Sequence, residues 1–105
     1  MKLAVNKKYL KVSGDQILRS AGYGFIRDGR TGKESYVRRL ASDHYPRLHM
    51  YYYDKSDRLE FNLHLDQKRA SYEGQNAHSG EYDGPIVEEE IARLKSIIRS
   101  LAVRN

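Results

Sequence analysis

The chain has 105 residues and no cysteine, and 19 lysines and arginines against 14 aspartates and glutamates leave a formal net charge of +5. One domain spanning residues 1–105 with a single modest core is expected, and neither a disulfide framework nor a metal site with thiolate ligands is available. No apolar run is long enough to cross a bilayer as a helix, and Met1 to Lys8 loses its hydrophobicity too early for a signal peptide, so a soluble cytoplasmic protein without a membrane partner is expected.

Residues 2 to 12 are compatible with a strand or with a helical turn and are left unassigned. Ser13-Gly14-Asp15-Gln16 fits a capping box and starts a short helix with Ile17, Leu18 and Ala21 on its apolar side. Gly22 stands where a helix usually ends in a left-handed residue. Tyr23 to Asp28 and Glu34 to Leu40 read as a hairpin around Gly29-Arg30-Thr31-Gly32, in a register that the residues leave open. Arg38 and Arg39 are adjacent, so as strand residues they point to opposite faces.

Arg47 to Tyr53 and Leu59 to Asp66 alternate apolar and polar residues on either side of Asp54-Lys55-Ser56-Asp57-Arg58. A turn centred between Ser56 and Asp57 pairs Leu48 with Leu65, Met50 with Leu63 and Tyr52 with Phe61, so the apolar faces match. The same register sets His49 opposite His64 and Arg47 opposite Asp66. A loop of odd length would instead set histidines against leucines and split both faces.

Gln67 to Gly84 is polar, glycine-bearing and without periodicity, and is longer than a simple connection. An ordered loop folded back over the polar sheet face is the favoured reading. Asp83 or Gly84 then caps a helix with Pro85 in its first turn, Glu88, Glu89 and Glu90 near its start, and Arg99 and Arg104 near its end. Val87, Ile91, Leu94, Ile98 and Leu101, widened by Ile86 and Ile97, form its apolar stripe. The expected fold is an α+β two-layer sandwich: a four-stranded, mainly antiparallel sheet with a short N-terminal and a long C-terminal helix on one face.

The polar face carries the chemistry. His64 and Asp66 share it, His49 faces them, and His78 and Glu81 can arrive from the loop, so His49, His64, Asp66 and His78 form a candidate nitrogen and oxygen shell for a divalent ion such as zinc, with Glu81 as ligand or base. The same face suits nucleic acid: Tyr51 and Tyr53 to stack bases, and Arg47, Lys68 and one of Arg38 or Arg39 to hold phosphate. Basic residues cluster in this central region, from Arg27 and Arg30 to Lys68 and Arg69. His49 or His64 can then serve as acid or base in RNA cleavage, since imidazole titrates near neutrality. The glycine-bearing stretches lack nucleotide-binding spacing, and Ser71 and Ser79 lack a nucleophile elbow.

Phe61-Asn62-Leu63-His64-Leu65-Asp66-Gln67-Lys68 and Ala77-His78-Ser79-Gly80-Glu81-Tyr82-Asp83-Gly84 resemble segments of a group of small uncharacterised prokaryotic proteins. That resemblance implies no activity. The helix-hairpin-strand order with Ala21-Gly22-Tyr23 is similar in topology to HicA toxins, which implies a double-stranded-RNA-binding-like fold and messenger-RNA cleavage. Their catalytic histidine has no counterpart, because Gly32-Lys33-Glu34-Ser35-Tyr36 stands at its place. The leading expectation is a protein whose polar sheet face binds a phosphate-bearing ligand, RNA or single-stranded DNA. A divalent-metal hydrolase is the alternative, and a protein-interaction module the third reading.

Overall fold

A computed structural model describes residues 1–42, 45–67, 80–81 and 84–101. In chain order the elements are β1 (Lys2–Asn6), a 3-10 turn (Lys7–Tyr9), α1 (Gly14–Ser20), β2 (Gly24–Arg27), β3 (Glu34–Arg39), β4 (Arg47–Asp54), β5 (Arg58–Asp66), β6 (Gly80–Glu81) and α2 (Pro85–Leu101). The fold is α+β, with one antiparallel sheet and a long C-terminal helix. The strand count differs from the expected four. The sheet runs β1-β5-β4-β3-β2, and the two-residue β6 extends the edge of β5 beyond the end of β1.

The additional full strand is β1, which pairs Leu3 with Phe61 and Val5 with Leu59. Its period-2 signal is confined to Leu3 and Val5 between polar or small neighbours, too short to separate a strand from a turn before a partner is known. Lys7 then ties the end of β1 to the turn between β4 and β5, donating through Nζ to Asp54 Oδ1 at 2.6 Å and to the Lys55 carbonyl at 2.9 Å.

β4 and β5 hold the expected register, Arg47 opposite Asp66 through Asp54 opposite Leu59. Leu48, Met50, Phe61, Leu63 and Leu65 are all 2 % exposed or less on the resulting apolar face. Burying each such side chain is worth about 1.5–3 kcal/mol as an upper estimate. A one-residue slip would exchange that set for His49, His64 and Asp66, so the register is strongly specified. β2 and β3 pair Phe25 with Tyr36 around Gly32, which takes a positive φ of 74°, while Asp28 Oδ1 accepts from the Arg30 and Thr31 amides inside the turn.

Both helices contribute to the core on the apolar face. The Ser13 capping box is complete: its hydroxyl accepts from the Gln16 amide at 3.1 Å, and its own amide donates to Gln16 Oε1 at 2.9 Å. Gly22 ends α1 at φ 92°. From α2, Val87, Ile91, Leu94 and Ile98 are buried, whereas Ile86 is 45 % exposed and lies off the stripe expected to include it. Glu90, one of the three glutamates near the start of α2, also takes part in the core. It is 5 % exposed, accepts from the Tyr23 hydroxyl at 2.6 Å and is held by both Arg93 Nε and Nη2 at 2.8 Å. Burial alone would raise its carboxyl pKa, but the Arg93 and Tyr23 hydrogen bonds and the charges of Arg93 and Arg38 outweigh that and hold it below the ordinary range. Asp83, Arg104 and the loop conformation expected for residues 67–84 lie outside the described residues, apart from Gln67, Gly84 and the β6 backbone.

Gly14 sits in the first turn of α1 against the face of Tyr52, where an added Cβ would come within 2.6 Å of Cε2 and 2.7 Å of Cδ2. On an open helix Ala would gain about 1 kcal/mol over Gly. Here the Tyr52 ring is hemmed in by Tyr36 and Phe61, so overpacking outweighs propensity. Gly14→Ala is therefore expected to destabilise the protein by about 1–3 kcal/mol in urea unfolding; equal or greater stability would show that Tyr52 moves freely.

Candidate functional site

The face of the sheet opposite the helices is assembled from alternate residues of three strands: Ser35, Val37 and Arg39 of β3, Arg47, His49, Tyr51 and Tyr53 of β4, and Glu60, Asn62, His64 and Asp66 of β5. β3 pairs with β4 so that Val37 faces His49 and Arg39 faces Arg47. The expected pairs His49 with His64 and Arg47 with Asp66 are present. Strand parity thus brings the polar side chains together without any help from a loop.

Asp66 is the centre of this group. Its Oδ2 lies 3.0 Å from His49 Nδ1 and 3.3 Å from Arg47 Nε, and its Oδ1 lies 3.2 Å from His64 Nε2. Burial works to raise the Asp66 carboxyl pKa, yet the hydrogen bonds from His49 and His64 and their electrostatic attraction prevail, holding it well below the usual carboxylate range. An ionised carboxylate is an acceptor only, so it fixes the proton of His49 on Nδ1 and that of His64 on Nε2. The other His49 nitrogen, Nε2, is then free to accept from the Ser35 hydroxyl, whose Oγ is 2.8 Å away.

The aromatic residues are divided. The Tyr51 ring lies 4.8 Å from the His49 ring and 5.9 Å from that of His64, and Lys33 Nζ sits 4.4 Å from its centroid. Tyr51 therefore backs the imidazoles, while Tyr53 is 47 % exposed at the end of the strand. A cavity of about 280 Å³ opens beside this group, with Lys33, Ser35, Arg47, His49 and Tyr51 in its wall.

The two adjacent arginines are separated by parity. Arg39 joins the polar face opposite Arg47, whereas Arg38 faces the helix side with its Nη1 3.6 Å from Glu90 Oε1. Arg38 is thus not among the groups that the polar face presents. The β6 backbone sets Gly80 opposite Asp66 and Glu81 opposite the core residue Leu65. Lys68 and His78 lie outside the described residues.

His49, His64 and Asp66 offer nitrogen and oxygen atoms that all lie within 4.8 Å of one another. That spacing is close enough for one divalent ion to reach all three at about 2.0–2.2 Å once the carboxylate turns. Against this, the guanidinium of Arg47 already occupies the oxygen shared with His49. Ser35 and Lys33 are absent from the sequence-based site. Alternation along β3 would have set Ser35 beside Arg39, but the irregular residues before Arg47 conceal which β3 residue meets His49.

The low pKa of Asp66 couples this face to stability. A carboxyl whose pKa is lowered by folding contributes stability above its unfolded value and loses it as pH falls toward the folded one. Urea midpoints are accordingly expected to fall below about pH 4, and the Asp66→Asn variant should show a shallower decline over the same range. An unchanged acid limb in Asp66→Asn would show that the ion pairs contribute nothing.

No helix of the described residues is long and apolar enough to cross a membrane. Comparison with protein-family models, with curated proteins and with solved structures gives no match, so the chemistry of this face rests on its own geometry.

Proposed function

We propose that the face of the sheet opposite α1 and α2 binds a phosphate-bearing ligand, with RNA or single-stranded DNA as the ligand class. The observation that carries this reading is the direct opposition of Arg39 and Arg47 on neighbouring strands. Like charges at opposed positions are unfavourable unless an anion lies between them. Asp66 compensates only one of the two, and Lys33 adds a third cation at the edge of the same face. A phosphate bridging Arg39 and Arg47 removes the repulsion and gains charge-assisted hydrogen bonds.

Tyr53 is the exposed ring available for stacking a base, and Tyr51 stiffens the imidazole pair behind it. With RNA bound, His49, which lines the cavity, is the group suited to proton transfer at a phosphodiester, because Asp66 holds it in one tautomer. Binding of a single-stranded oligonucleotide, followed by fluorescence anisotropy, should weaken with salt at a log–log slope of about −2 for three phosphate contacts. Arg39→Ala should lower that slope by about 0.7 without lowering the urea midpoint. Binding that is absent, or indifferent to salt, would count against the proposal.

The divalent-ion alternative uses His49, His64 and Asp66 and is favoured by their compact spacing. A second cation on a carboxylate already paired with Arg47 costs Coulomb energy, which ranks this reading second. Protein purified without a metal-affinity tag is expected to hold clearly less than one equivalent of zinc by elemental analysis. A stoichiometric ion that disappears in His64→Ala would reverse the ranking.

A further inference from the structure

We propose that Ser35 is a nucleophile, activated by His49 and oriented through Asp66, and that the cavity beside it accepts a small carboxylic ester bearing a negative charge. The inference stands on a different observation from the nucleic-acid reading: the linear chain of contacts from carboxylate through imidazole to hydroxyl. Asp66 Oδ2 is 3.0 Å from His49 Nδ1, and His49 Nε2 is 2.8 Å from Ser35 Oγ. This is the order in which a carboxylate fixes the tautomer and an imidazole withdraws a hydroxyl proton.

Three features make it more than a satisfied buried pair. The carboxylate touches the ring nitrogen remote from the serine, which is the arrangement that leaves the near nitrogen basic. Ser35 and His49, though largely buried, both line the cavity of about 280 Å³, so a small substrate can reach the hydroxyl. Arg47 and Lys33 line the same cavity, where they supply positive charge to a developing oxyanion and to an anionic substituent of the ester, while the Asp28 carboxylate in that wall is engaged by the Arg30 and Thr31 amides.

The reaction balances without any further reactant but water. Ser35 Oγ attacks the carbonyl carbon as His49 Nε2 takes its proton. The tetrahedral intermediate collapses, the bond to the leaving alkoxide breaks, and His49 returns the proton to that oxygen, releasing the alcohol. Water then attacks the acyl-Ser35 carbonyl while His49 accepts its proton. Collapse frees the carboxylic acid, and the proton passes back to Ser35 Oγ.

The test uses the full chain and a fluorophosphonate probe, which forms a stable bond with activated serines. One adduct mapping to Ser35 by peptide mass spectrometry is expected, unchanged by a chelator and absent in Ser35→Ala. Asp66→Asn, with its far-UV spectrum preserved, should slow adduct formation by about tenfold or more, an effect on rate that a purely structural role would not give. The unmodified protein should also hydrolyse 4-acetoxybenzoate faster than neutral phenyl acetate. No adduct on the folded protein, an adduct on another residue, or labelling abolished by a chelator would overturn the proposal.

Discussion

The pairing register of β4 with β5 is the constraint on which the rest of this structure depends. Because side chains alternate strictly along a strand, one choice of register determines two faces at once. It sets Leu48, Met50 and Tyr52 against Leu65, Leu63 and Phe61 beneath the helices, and Arg47, His49 and Tyr51 against Asp66, His64 and Asn62 on the other side. The hydrophobic face supplies the free energy, and the polar face is placed by the same alternation. The β4–β5 pair is also the centre of the sheet, with β3 and β2 added beyond β4, and β1 and β6 along β5.

Each side of the sheet carries one mostly buried carboxylate, and the two are compensated differently. Glu90, on the helix side, is clamped by Arg93 and accepts from Tyr23, while Arg93 Nη2 also donates to the Ala21 carbonyl at 2.6 Å. That network ties α2 to the end of α1 and has no cavity-lining imidazole. Asp66 is instead surrounded by two histidines and Arg47, groups whose other atoms are turned toward Ser35, Tyr51 and the cavity. Burial would cost both carboxylates their charge, and in both cases the hydrogen bonds they accept prevail. Around Glu90 the charged groups lining a cavity of about 350 Å³ are the carboxylates of Glu89 and Glu90 with Arg38 and Arg93, whereas the cavity beside Asp66 is lined by an imidazole and a hydroxyl.

The properties of the polar face follow from this difference. An ionised Asp66 pins the imidazoles, the stacked Tyr51 ring limits their rotation, and Lys33 above that ring adds charge at the cavity edge. Of the opposed Arg39 and Arg47, only Arg47 is paired with Asp66. On the reading proposed above, that positive charge is what would draw an anionic ligand to the side of the sheet that holds Ser35 and His49.

Much of the fold is legible in the sequence alone. The Ser13 capping box, the Gly22 terminus, the β4–β5 register and the start of α2 each rest on local chemistry: a hydroxyl that reaches an amide, a glycine tolerant of positive φ, matched apolar alternation, and a proline in a first helical turn. β1 was not legible, because a strand with two inward apolar residues acquires its identity only from its partner, β5. For the site, alternation alone placed His49, His64, Asp66 and Arg47 together. Which of Arg38 and Arg39 joins them, the burial of Glu90, the diversion of Tyr51 to the imidazoles and the meeting of Ser35 with His49 depended on how β3 and the helices pack against β4 and β5. Those are contacts between segments distant in the chain, and their register is set by three-dimensional packing that local residue patterns do not encode.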